Sequence, residues 1–78
     1  MYGKRIREVR MKRKLTQQKT ADTLNLTLRS YQRYEKGDFE PSLATLVAIA
    51  DLFNVPTDYL LGRDDYLKSL GVSVDELL

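Results

Sequence analysis

The chain has 78 residues, of which 42% are hydrophobic and 31% charged, with a net charge of +2. A chain of this length makes one small core that buries about 60% of its unfolded surface, and leaves no room for a second. It contains no cysteine and no histidine, which excludes a disulfide framework and a thiolate metal site and removes the commonest general base and metal ligand. No catalytic, metal-binding or cofactor-binding residue is expected. Asp38 and Glu40 could in principle pair as acids, but they fall in a loop with no pocket to tune them, so the chain does not read as an enzyme.

The start, Met1 to Arg7, is charged and lacks the apolar stretch of a signal peptide. The longest apolar run, Leu46 to Ala50, stops at Asp51, whereas a membrane span needs roughly 20 residues. The expected location is cytoplasmic, with no membrane partner. Charge is unevenly distributed. Residues 1–36 hold eleven basic and three acidic side chains, a net +8, and the remainder holds two basic and eight acidic, a net −6. Such a split fits a cationic face for a polyanion and an acidic half that limits indiscriminate adhesion.

Apolar spacing is helical throughout. In the first segment Tyr2, Ile6, Val9 and Arg13 share a face, with Arg10 beside them. Thr16 caps a second helix, Gln17 to Leu24, with Thr20, Ala21 and Leu24 inward, and Asn25 tolerates the left-handed turn that follows. Thr27 caps a third helix running to about Lys36, closed by Gly37. Phe39-Glu40-Pro41 is a loop, because proline disfavours helix in the residue before it. Ser42 caps a fourth helix bearing Leu43, Leu46, Val47, Ile49, Ala50 and Phe53, which Asn54-Val55-Pro56 breaks. Thr57 caps a short fifth helix through Leu61, with Gly62 at its end. The fold class expected is a compact all-α bundle of five helices.

The second and third helices, each of about two turns, meet across a turn too short to let them lie antiparallel, and Ala21 is small where they must approach. These are the requirements of a helix-turn-helix, whose second helix enters the major groove. The chain resembles the λ-repressor/Cro-type, or Xre-type, family of helix-turn-helix regulators from about Ile6 to Gly62. Thr16-Gln17, Ala21, Tyr34-Glu35-Lys36-Gly37, Pro41-Ser42-Leu43, Leu46, Ile49-Ala50 and Asp58-Tyr59-Leu60-Leu61-Gly62 carry the resemblance. Thr20 and Asn25 depart from it, standing where the family usually has Leu and Gly.

Viewed down the third helix, Ser30, Tyr31 and Tyr34 point one way, and Leu28, Arg29, Gln32, Arg33 and Lys36 occupy an arc on the other side. The tyrosines turn from the basic arc toward the core, which disfavours stacking on single-stranded nucleic acid. RNA is disfavoured too, since its A-form major groove does not admit a helix. The outward arc suits duplex DNA: arginine matches guanine O6 and N7, glutamine matches adenine N6 and N7, and Leu28 suits a thymine methyl. The resemblance makes Thr27, Leu28, Arg29, Gln32 and Arg33 the base readers. It also makes Gln17, at a helix start, a phosphate contact; by charge and position, Lys36 at the far end of the reading helix is a further phosphate candidate, and Arg13, Lys14 and Lys19 are weaker ones. The resemblance also joins Arg10 to Glu35 in a buried structural ion pair.

The expected division is a DNA-binding domain over 1–62 and a helical extension over 63–78. In the extension Asp64 or Asp65 caps a helix bearing Tyr66, Leu67 and Leu70, which Gly71 ends, and Ser73 with Glu76 makes a capping box for a turn bearing Val74, Leu77 and Leu78. These apolar side chains either fold back on their own core or meet a second copy, with Val55, Tyr59, Tyr66, Leu67, Leu70, Val74 and Leu77 as candidate dimer contacts. The function expected is a sequence-specific transcriptional regulator of the repressor kind, binding double-stranded DNA as a homodimer. An antitoxin-like module that holds a protein partner and its own operator is the alternative.

Overall fold

Gly3 and the apolar pair Ile6 and Val9 form the buried face of the first helix, α1 (Tyr2–Lys12). A Cβ on Gly3 would lie 2.4 Å from the Tyr34 carbonyl oxygen and 2.5 Å from that of Glu35, so only glycine lets the helix start there. The computed structural model describes residues 2–78. Lys14, in the turn after α1, has a φ of 58°, a left-handed conformation that nothing in the local sequence announces.

Next comes α2 (Gln17–Thr23), where the Thr16 hydroxyl accepts the Lys19 N–H at 3.0 Å. Thr20 is fully buried, and its hydroxyl donates to the Thr16 carbonyl at 2.9 Å, so the polar atom in the core is satisfied. Leu24 packs against the core as expected but is the C-terminal cap, so the helix ends one residue earlier than expected, and Asn25 turns with a φ of 58°. Thr27 then caps α3 (Leu28–Lys36) through the Ser30 N–H at 3.1 Å, and Gly37 closes it at a φ of 81°. Ser42 caps α4 (Leu43–Phe53), and Asn54 ends it in the left-handed conformation.

Three expected caps fail at the following helices. Pro56, not Thr57, occupies the cap position of α5 (Thr57–Leu60), with no side-chain cap, and Leu61 lies just beyond it. Arg63, not an aspartate, stands at the cap of α6 (Asp64–Ser69). The reason is a competing partner: both Asp64 oxygens accept from Arg5 at 2.6 Å. The last turn, Val74–Leu77, is a 3-10 helix, and the Ser73 side chain makes no cap bond there.

The arrangement is all-helical. α1 lies on α3 and also touches α4 and α5; α2 packs on α3, and α5 joins α4 to α6. One core gathers Ile6, Val9, Ala21, Tyr31, Leu46, Ile49, Ala50, Phe53, Val55, Tyr59, Leu60 and Leu67. The extension therefore folds back in cis. Val55, Tyr59 and Leu67, put forward as dimer contacts, are buried in the chain's own core, and Val74 and Leu77 pack against it. Of that set Tyr66 and Leu70 remain exposed. Burying an apolar side chain contributes about 1.5–3 kcal/mol, a large share of the stability of so small a domain. Among the described residues no helix is long and apolar enough to cross a membrane.

Candidate nucleic-acid interface

The amphipathic spacing of α3 decides which of its side chains are available. Tyr31 is fully buried and Tyr34 packs against the core, while Arg29 and Lys36 are exposed and Leu28, Gln32 and Arg33 half-buried. Thr27 at the cap is exposed, its hydroxyl donating to Ser30 Oγ at 2.9 Å.

Behind this helix lies the Arg10–Glu35 pair. Arg10 Nε donates to Glu35 Oε2 at 2.6 Å, and the two side chains are only 12% and 3% exposed. A second Arg10 nitrogen donates to the Leu15 carbonyl at 2.8 Å, tying the turn after α1 to the pair. The Tyr31 hydroxyl also donates to Glu35, from the i, i+4 position on the same helix. Burial alone would push the Glu35 carboxyl up, but the donors Arg10, Tyr31 and Gln17 outweigh it and hold the carboxyl below its ordinary range. Burial and the bond to Glu35 push the Tyr31 hydroxyl well up, so it stays protonated.

Gln17 connects the pair to the outward arc. Its Nε2 donates to Glu35 Oε1 at 3.0 Å, and its Oε1 accepts from Gln32 Nε2 at 3.1 Å. Direction matters here. An ionised carboxylate only accepts, so it draws the amide nitrogen of Gln17 toward itself and leaves the oxygen for Gln32. Gln32 must then point its nitrogen at Gln17, which leaves its oxygen and one N–H free. One acceptor beside one donor is the pattern that adenine N6 and N7 require. The expected phosphate contact Gln17 thus has most of its amide engaged inside the protein, with one Nε2 hydrogen left over.

Other sequence-based candidates fall in different places. Lys14, Lys19 and Lys36 are exposed, and no ion pair among the described residues includes them. Arg13 is turned to another use: it donates to the carbonyls of Phe53, Leu77 and Leu78 at 2.9, 3.1 and 3.1 Å. Its donors fasten the last turn to α1, which leaves it little for a phosphate. Sequence reasoning missed the Gln17–Gln32 bond and the stacking of Arg33 on Phe39, 4.1 Å from the ring centroid. The i, i+4 spacing of Tyr31 and Glu35 was a usable signal for the third donor to Glu35. Among the described residues no group of acidic side chains is placed to hold a metal ion.

Comparison with known proteins agrees with this geometry. A family model described as Helix-turn-helix matches residues 6–60. The chain is 41% identical over 66 residues to the HTH-type transcriptional regulator ImmR of Bacillus subtilis, covering 85% of this chain and 52% of that protein. It is 43% identical over 71 residues to the HTH-type transcriptional regulator AnsR of the same organism, covering 91% and 61%. Similarity extends to the immunity repressor protein of Bacillus phage phi105, 33% identical over 66 residues, covering 85% and 46%. The chain spans about half the length of the first of these curated relatives. No solved structure matches it significantly.

Proposed function

Since the chain belongs to the helix-turn-helix family, we propose that it is a sequence-specific regulator of transcription that represses by occupying double-stranded DNA. α3 enters the major groove, with Thr27, Leu28, Arg29, Gln32 and Arg33 facing base edges and Lys14, Lys19 and Lys36 reaching phosphates. The observation that carries the reading is the oriented line from Glu35 through Gln17 to Gln32. It leaves one acceptor and one donor of Gln32 available on the outer side of α3, which supports base reading.

One such unit covers few base pairs, so the chain binds as a symmetric pair on a pseudo-palindromic site. Half-site centres about 10 base pairs apart would put both copies on one face of the duplex. The test is selection from random duplex DNA with the purified chain. The expected result is an enriched two-fold-symmetric motif at that spacing. No enrichment would overturn the reading; a single asymmetric motif would overturn the symmetric pairing.

A further inference from the structure

Three arginines lie over aromatic rings: Arg5 over Tyr59 at 4.4 Å, Arg63 over Tyr66 at 4.5 Å and Arg33 over Phe39 at 4.1 Å. A ring holds a guanidinium by its face, and the N–H groups point outward in the guanidinium plane. For two of the three that edge is occupied. Arg5 donates to both oxygens of Asp64 and to the Tyr59 carbonyl, and Arg63 donates to Asp58 at 2.8 Å. Arg33 differs, because no hydrogen bond or ion pair among the described residues uses its N–H groups. It stands on the last turn of α3, on the arc that faces away from the core. Phe39, two residues past Gly37, is 51% exposed, and its ring lies beneath the Arg33 guanidinium.

We infer that Phe39 is a positioning residue for base recognition, holding the Arg33 guanidinium by its face so that its edge meets a guanine already oriented. The inference rests on the DNA-binding reading above and adds to it a residue outside the helix-turn-helix. Guanine O6 and N7 take two coplanar donors from one guanidinium edge. Fixing that plane beforehand removes part of the ordering cost of binding. Arg29, one turn earlier, is exposed, and among the described residues no aromatic ring lies beneath it. Leucine at position 39 would supply apolar surface but no π-face; tryptophan would supply both.

Two measurements test this. In the free protein, proton NMR should show the Arg33 side-chain protons shifted upfield by the ring, an effect lost in Phe39→Leu; unshifted protons overturn the stack itself. Binding is then measured for Phe39→Ala, Phe39→Leu, Phe39→Trp and Arg33→Ala on the selected duplex and its single-base variants. Phe39→Ala and Phe39→Leu should lose about threefold in affinity. The loss should fall at the one base pair whose discrimination Arg33→Ala erases, with the thermal midpoint unchanged. Phe39→Trp should bind like the parent, and Phe39→Ala should add nothing in the Arg33→Ala background. A loss uniform over all variants, or one that persists without Arg33, overturns the positioning role, as does unaltered binding by Phe39→Ala when Arg33→Ala is impaired. Absence of any duplex preference in the parent chain would instead sink the DNA reading, and this inference with it.

Discussion

Glu35 accepts from Arg10, Tyr31 and Gln17 at once, and its ionised state underlies both stability and the orientation of Gln32. Because these donors hold its carboxyl low in the folded chain, the unfolded chain binds the proton more tightly. The stabilisation is complete above the ordinary glutamate value of 4.5 and is lost as pH falls through the lower folded value. The bond from Arg5 likewise holds Asp64 low, adding to the same acid limb. Glu35→Gln leaves a buried arginine without its counter-charge and should cost about 3–5 kcal/mol at neutral pH. It should also flatten the fall in stability toward acid. Urea midpoints taken from neutral to acid pH check both effects, and a variant that follows the parent's slope throughout would show that Glu35 is not the titrating group.

At the scale of elements, the caps of the second, third and fourth helices were legible in the sequence, and those of the later ones were not. Thr16, Thr27 and Ser42 each accept the N–H three residues on, because a short hydroxyl side chain and a local donor are all that such a cap requires. Asp64 had the same credentials and failed, since its partner Arg5 lies 59 positions away, beyond what any local window contains. The site divides in the same manner. The 100° period separated Tyr31 from Arg29 correctly, but Gln17–Gln32 and Arg33–Phe39 depend on how separate segments are packed, which spacing does not encode. The fate of the extension was equally undetermined until its contacts were in view. Leu67 sits in the common core at 3% exposure, so Leu67→Ala should destabilise the chain by about 2–5 kcal/mol. Sedimentation without DNA should show the same mass for parent and variant. A loss of dimer with stability retained would mean that this helix serves an interface between copies instead.

At the scale of the whole molecule, the eleven cations of residues 1–36 are not all available to DNA. Arg5 and Arg10 are paired with acids and Arg13 with carbonyls, so part of the positive half is employed in holding the chain together. Lys36→Ala should therefore weaken every duplex alike and reduce the salt slope of binding by about one. Arg13→Ala should lower the thermal midpoint and leave that slope unchanged. Titrations at several salt concentrations separate the two, and equal slopes for Lys36→Ala and the parent would remove Lys36 from the phosphate contacts. The close approach at Gly3 bears on the same contacts from the opposite side. There the backbone of α1 rests directly on the last turn of α3, and the Arg10–Glu35 pair clasps that same turn from further along α1. Any side chain at position 3 would press on the Tyr34 and Glu35 carbonyls, at the very residue the pair holds, so that either the two helices part or the pair stretches. On the DNA-binding reading proposed above, the seat of α3 in the groove then depends on the absence of one methyl group at a buried position.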